Sequence, residues 1–272
     1  MKNLKKKYID FLIPDKVPLI DYDDYQKHVL RYYFASKFIR GKNVLDVACG
    51  TGYGSYYLAK KCKRIIGGDK STDALKYAKK FYKKSNLKFV HLDATKMPFK
   101  NSIFDVVISF ETLEHIKNYK NFISECKRVL KKNGLFICST PNKKFFSPFG
   151  CKLTPFHVKE FYFKELKDVI EKYFPDTKFY MQDMISYKSK LKADFLAIIN
   201  KILSFFQINE FFLNLYKKKF AGLTTVNDRD LKKYVYITDK LIKKLNKKYL
   251  PLPYKEGKKI YPRMFITVSR KN

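Results

Sequence analysis

Cysteine is sparse in this chain, five in 272 residues, and no two stand at Cys-x-x-Cys spacing. That excludes a disulfide-built scaffold and an ordinary zinc finger, and it fits a reducing compartment such as the cytoplasm. No uncharged run reaches the 18 residues a membrane-spanning helix needs. The basic start at Met1 leads into no secretion signal, because Asp10, Pro14 and Asp15 interrupt the apolar stretch behind it. Acidic residues are scarce, 25 against 58 basic ones, for a net charge of +33. Arginine is scarcer still, seven of the 58. Phosphates and base edges are read best by the forked guanidinium, so lysine spread along the whole chain is a compositional bias rather than a nucleic-acid stripe. What is plentiful is apolar: 46% hydrophobic and 17% aromatic residues exclude intrinsic disorder despite the charge.

The first half alternates regularly. Short apolar runs at Asn43–Cys49, Arg64–Asp69, Leu87–Asp93, Ile103–Ser109 and Leu135–Ser139 read as buried strands. Helical patterns over Ser55–Lys61, Thr72–Tyr82 and Tyr119–Leu130 separate them, and Asn133-Gly134 turns the chain into the fifth strand. Such alternation predicts an α/β fold, a doubly wound and mostly parallel sheet. Further on come a helix over Phe163–Phe174 stopped by Pro175, a sixth strand over Lys178–Gln182 and a final strand over Arg263–Ser269. The expected organisation is a core over residues 1–187 with a lead-in helix, a helical insertion or lid over 188–260, and a last strand of the core over 261–272, making seven strands.

The loop Gly50-Thr-Gly52-Tyr-Gly54 lies between the first strand and its helix, where backbone N–H groups can meet a nucleotide-like ligand. Asp69 ends the second strand, where a carboxylate can accept both ribose hydroxyls. Five pieces in order, Val44-Leu-Asp-Val-Ala-Cys-Gly-Thr-Gly52, Gly67-Gly-Asp-Lys-Ser71, His91-Leu-Asp-Ala94, Phe104-Asp-Val-Val-Ile-Ser109 and Leu130-Lys-Lys-Asn-Gly134, resemble the class I S-adenosylmethionine-dependent methyltransferases. The resemblance covers roughly residues 40 to 140. It implies a Rossmann-like fold and S-adenosyl-L-methionine as cofactor. It further implies that Asp46, Gly50 and Gly52 hold the methionine portion, Asp69 the ribose, and Asp93 with Ala94 the adenine, with Phe110 in contact and Arg31 pairing with the methionine carboxylate. Ala48 departs from the family's frequent glycine, and a methyl there requires a negative φ.

Glu111, Glu114 and His115 stand at i, i+3 and i+4, so on an α-helix they share one face. Carboxylates with imidazole suit Mg²⁺, Mn²⁺, Fe²⁺ or Zn²⁺. Together with His157 the layout resembles the E-x-x-E-H plus distant His metal site of certain O-methyltransferases, which implies that Glu111, Glu114, His115 and His157 are ligands and His115 and His157 serve catalysis. Two alternatives stand beside it: His115 as a general base oriented by a glutamate, or Glu114 and His115 as a helix cap.

The chain lacks the [N/D/S]-P-P-[Y/F/W] tetrapeptide of amino-directed base methyltransferases, having Ser109-Phe-Glu-Thr112 instead, and no cysteine follows a proline. An oxygen acceptor is left, on a small molecule, a glycan or an amphiphile. A ribose 2′-hydroxyl of RNA, held by the lysine-rich surface, is the disfavoured alternative, and a non-catalytic interaction subunit a third. The apolar runs Phe195–Phe206 and Phe211–Tyr216, flanked by lysines, suggest core packing, a dimer seam or a peripheral contact with an anionic membrane.

Overall fold

A computed structural model describes residues 22–147, 156–186, 237, 239–245, 247–255 and 260–272, and three further positions at 191, 194 and 195. The chain enters through α1 (Tyr22–Ala35) and then alternates: β1 (Asn43–Val47), α2 (Tyr53–Ala59), β2 (Arg64–Asp69), α3 (Thr72–Phe81), β3 (Leu87–His91), β4 (Phe104–Phe110), α4 (Tyr119–Val129) and β5 (Leu130–Pro141). A single turn, α5 (Lys143–Phe146), precedes α6 (Phe163–Tyr173), β6 (Asp176–Ser186), α7 (Asp239–Lys244), β7 (Leu252–Pro253) and β8 (Ile260–Arg270).

Local chemistry explains the boundaries. Ser71 caps α3 by accepting from the Ala74 amide at 3.2 Å, and Ala74, Leu75 and Ala78 form its buried stripe. Asn118 caps α4 in the same way at 3.3 Å, placing Phe122, Ile123, Cys126 and Val129 inward. Helix α2 starts at Tyr53, earlier than the expected Ser55, because Gly52 adopts φ 84° and turns the chain into it. Asn133, with φ 60°, bends the chain as expected but inside one continuous strand, whose pairing with β4 shifts register between Phe104 and Val106.

The sheet runs β3-β2-β1-β4-β5-β8-β6-β7. The first five strands are parallel, and β8 pairs antiparallel with both β5 and β6. It is the expected doubly wound sheet with one strand more than seven. The additional strand is β7, two residues paired with Tyr180 and Met181 at the far edge. A strand this short leaves no periodic trace in a sequence. Alternation along the strands feeds two cores. Val44, Val106, Ile108 and Phe110 pack with α1, α2 and α3, whereas Leu45, Val47 and Val107 pack with α4 and α6.

Of the stretch 188–260 read as an insertion, Ile237, Ile242, Leu245 and Tyr249 close onto the α1–α3 side of the core. The apolar runs Phe195–Phe206 and Phe211–Tyr216, read as core packing, a dimer seam or a membrane contact, lie outside the described residues, apart from the exposed Phe195. Among the described residues no helix is long and apolar enough to cross a membrane.

One local expectation is overturned. Ala48 has φ 57°, in the left-handed region, because the chain must turn sharply off β1 into the loop. An alanine held there costs about 1–2 kcal/mol that glycine avoids. Ala48→Gly is therefore expected to raise unfolding free energy by about 1 kcal/mol in a urea titration, and a loss of stability would contradict that account.

Candidate active site

The strand order reverses between β1 and β4, and at such a switch point the carboxyl ends of parallel strands open a crevice. The loop after β1 borders it. Ala48, Gly50 and Gly52 all have positive φ, at 57°, 55° and 84°. The loop's own amides are spent within the protein, Cys49 donating to the Gly68 carbonyl at 3.0 Å and Gly52 to the Cys49 carbonyl at 3.1 Å, which fixes this turn in shape. Asp69 stitches this loop to the end of β2: its Oδ2 accepts from the Gly50 amide and its Oδ1 from the Ser71 amide, both at 2.8 Å. Burial pushes the Asp69 carboxyl up, and the amide bonds hold part of that shift back.

Under the loop lies Asp46, fully buried in β1, accepting from Ser55 Oγ at 2.6 Å and from the Tyr32 hydroxyl at 3.3 Å. Desolvation pushes its carboxyl up to about 7, against the pull of those two hydrogen bonds. Tyr32 lies so close over Gly54 that a Cβ there would fall 2.0 Å from its ring. The same ring meets Phe110 and Tyr53 edge-on, at 5.1 and 5.7 Å between centroids, which makes an aromatic wall over the loop. Asp93 sits after β3, exposed, its Oδ1 accepting from the Thr95 amide and hydroxyl at 2.8 and 2.7 Å, which holds its carboxyl below the usual range. Ala94 beside it packs against the α4 side of the core.

Beyond β4 the geometry differs from the expected single helical face. Glu111 has φ 51°, Thr112 is non-helical, and only Leu113–His115 form a turn, of 3-10 type. Glu111 therefore does not share a helical face with Glu114 and His115, although its charge still reaches Glu114. Glu111 Oε1 accepts instead from Arg31 Nη1 at 3.3 Å and from Ser139 Oγ at 3.0 Å. Arg31 is buried in α1 and also reaches Gln182 Oε1 at 3.2 Å, on the wall of a cavity of about 200 Å³. Sequence reasoning placed Arg31 on the cofactor; in the structure its partners are these two side chains.

Glu114, His115 and His157 do converge, each offering a ligand atom within 4.8 Å of the others. The cause is a backbone clamp, for the Val158 and Lys159 amides both donate to the Glu114 carbonyl, at 2.7 and 3.1 Å. His115 Nδ1 faces the Phe156 carbonyl at 3.1 Å, which can only accept, so Nδ1 carries the proton and Nε2 turns to Glu114 Oε1 at 3.9 Å. His157 Nδ1 meets Glu160 Oε1 at 2.5 Å, and the two imidazoles stand 5.1 Å apart. Glu114 Oε2 accepts from Thr140 Oγ1 at 3.0 Å, whereas its Oε1 is buried without a hydrogen-bond partner. Burial, and then the Glu111 charge, push the Glu114 carboxyl well up. An orphaned buried carboxylate oxygen beside two imidazoles calls for a proton or a cation.

Several contributing residues escaped sequence reasoning. Glu160 had a local signal, a carboxylate three residues beyond His157. Tyr32 and Ser55 had none, since each works through an Asp46 that the fold alone brings near. Asp183 and Arg263, 3.3 Å apart, face one another only because β6 and β8 pair.

Known proteins resemble this chain in sequence over part of its length and in fold over most of it. Residues 45–138 match the family model described as "Methyltransferase domain". A protein of Mycolicibacterium smegmatis named "Probable S-adenosylmethionine-dependent methyltransferase" is 32% identical over 148 residues, 54% of this chain and 57% of that one. A fatty-acid O-methyltransferase of the same organism is 29% identical over 140 residues, 50% of this chain and 51% of that one. The chain thus spans little more than half the length of these relatives. Among solved structures, the YcgJ protein of Bacillus subtilis superposes with a TM-score of 0.54 at 17% identity, over 90% of this chain and 98% of that one, a likeness of fold.

The buried Asp46 generates a stability prediction. Its pKa rises from 3.8 unfolded to about 7 folded, so the folded chain holds a proton the unfolded chain releases. The stabilisation from that proton is complete below pH 3.8 and is lost as pH rises through about 7. Asp46→Asn is expected to flatten this decline, gaining on the wild type by up to about 4 kcal/mol between pH 4 and pH 8 in denaturant titrations. Parallel pH profiles for the two proteins would contradict it.

Proposed function

We propose that the protein is an S-adenosylmethionine-dependent methyltransferase whose acceptor is a hydroxyl oxygen of a small molecule or glycan. The observation that carries this reading is the convergence at one end of the sheet. Carboxylates in or just after β1, β2 and β3 surround a left-handed glycine loop, and the Glu114–His115–His157 group stands across the switch point, beyond β4. The methyltransferase-domain match over residues 45–138 contains the loop, Asp69 and Asp93.

The residues present fit the cofactor. A side chain at Gly50 would enter open space, which leaves room for a ligand against the loop. Each Asp69 oxygen accepts one amide and keeps a second lone pair for a ribose hydroxyl. Asp93 and Ala94 serve the adenine end. Asp46, Gly52 and the Tyr32–Phe110 wall border the methionine end, with Arg31 behind them. Bound S-adenosylmethionine supplies a methyl group on a sulfonium, and the carbon–sulfur electron pair stays on sulfur as the carbon–oxygen bond forms.

The chain's own part is alignment and removal of the acceptor's proton. With both Nδ1 atoms engaged, by Phe156 and by Glu160, Nε2 of His115 or His157 is the atom that takes it. Glu114, His115 and His157 also fit a divalent ion, Mg²⁺, Mn²⁺, Fe²⁺ or Zn²⁺, since a cation there would satisfy the orphaned Glu114 Oε1. Such an ion would stabilise the developing alkoxide.

Calorimetry is expected to find micromolar S-adenosylmethionine binding, weakened about 10- to 100-fold in Asp69→Ala by loss of about 1.5–3 kcal/mol of charge-assisted hydrogen bonding. Unchanged affinity would remove the cofactor assignment. For the metal, equilibrium dialysis of Zn²⁺ should load the wild type and not His157→Ala, and EDTA treatment should stop methyl transfer until metal is restored. Full transfer by metal-free protein would return His115 to the role of general base.

A further inference from the structure

The cavity beside His157 states something about the acceptor, given the activity proposed above. It measures about 200 Å³, below the several hundred cubic ångströms of pockets that enclose drug-sized ligands. Six of its wall side chains are ionic, three of each sign. Each cation already meets a carboxylate: Lys27 lies 2.8 Å from Asp24 and 2.9 Å from Asp183, Arg263 3.3 Å from Asp183, and Arg31 3.3 Å from Glu111. His28, also on the wall, is held well below its ordinary pKa by burial and by Arg31 and Lys27, so it adds no charge near neutrality.

This balance excludes two kinds of occupant. An anion would find no uncompensated positive charge, and it would face three carboxylates. An acyl chain would displace water from six ionic groups with only Phe146 and Met264, among the described wall residues, to pack against. A hydroxyl both donates and accepts, so a ligand bearing several matches a wall that alternates carboxylate acceptors with guanidinium and ammonium donors. Arg31 and Arg263 each also carry a buried Nε with no hydrogen-bond partner, so neither guanidinium has spent all its donors on the carboxylates. Two of the carboxylates, Glu111 and Asp183, are carried on left-handed backbone, φ 51° and 56°, a strain that the rest of the fold sustains where it presents them to the cavity.

We infer that this cavity binds a neutral, polyhydroxylated unit of about monosaccharide size, and that it presents one hydroxyl of that unit to the His115–His157 group. In the transfer step the hydroxyl loses its proton to the base and its oxygen gains the methyl carbon, while the sulfonium becomes a thioether.

The test separates this inference from the activity it rests on, because it reads acceptor binding directly. Saturation-transfer NMR on the full chain, with and without S-adenosylmethionine, would use methyl α-D-glucopyranoside and methyl α-D-mannopyranoside as neutral probes, D-glucuronate as the anionic one and decanoate as the acyl one. At least one neutral glycoside should bind at least tenfold tighter than glucuronate, with decanoate weaker still. Asp183→Asn keeps size and tolerance of positive φ but leaves Lys27 and Arg263 short of one negative charge, so preference should shift about tenfold toward glucuronate. Arg263→Gln makes the opposite change and should weaken glucuronate further. Circular dichroism establishes that each variant is folded, and one folded variant of the two suffices. Binding of decanoate or glucuronate in preference to both glycosides, binding of neither glycoside, or a preference unmoved by these charge changes would overturn the inference. Absence of S-adenosylmethionine binding in calorimetry, with glycoside binding intact, would count against the activity alone.

Discussion

The architecture of the site hangs on one carboxylate. Asp69 accepts from the amides of Gly50 and Ser71, and so ties the loop after β1 to the end of β2. Three left-handed residues in five positions are costly to order, and the Asp69 bond, the neighbouring amide bonds from Cys49 and Gly52, and the packing of Phe89 against Gly52 restrain them. The parallel register of β1 with β2 sets the distance, since Val47 pairs with Gly68 and Asp69 follows at once. With the loop held open on one side, Ser55 and Tyr32 can reach the buried Asp46 from the other.

A second tie, made by backbone alone, completes the far side of the crevice. The Glu114 carbonyl accepts two consecutive amides, from Val158 and Lys159, so residues 156–160 dock on the turn after β4. That docking brings His157 to His115, 42 positions earlier in the chain, and lets Glu160 orient its ring. Two protein groups set the imidazole orientations before any ligand arrives, which is how a transfer site avoids reorganising during reaction.

The sequence was most legible where periodicity and loop chemistry coincide. All five parallel strands, the glycine loop and the acidic residues at the strand ends lie where the residue pattern placed them, because buried parallel strands leave apolar runs and left-handed turns leave glycines. The Glu-x-x-Glu-His segment was legible in composition and misleading in geometry. Spacing of three and four aligns side chains only on a continuous helix, and Glu111 at φ 51° breaks it before it starts. Ala48 misled in the other direction, because an alanine carries no mark of the strained conformation imposed on it by its neighbours. Asp183 and Arg263 were illegible, since the antiparallel pairing of β6 with β8 spans 80 residues and depends on sheet order rather than on any local signal.

Charge shows the same division between composition and site. The surplus of lysine yields a net +33, yet the cavity wall is balanced in sign. Arginine, seven residues in all, is used sparingly, and among the six described four meet a carboxylate: Arg31 with Glu111, Arg128 with Glu125, Arg263 with Asp183 and Arg270 with Asp176. Arg128 shows why lysine would not serve. Its Nε and Nη2 fork onto Glu125 while Nη1 and Nη2 also reach the carbonyls of Phe99 and Met97, a planar set of contacts that a single ammonium cannot make. A bias toward lysine can therefore run over the solvated surface, where one cation replaces another at little cost. It stops where the fold needs a fork, as at Arg128.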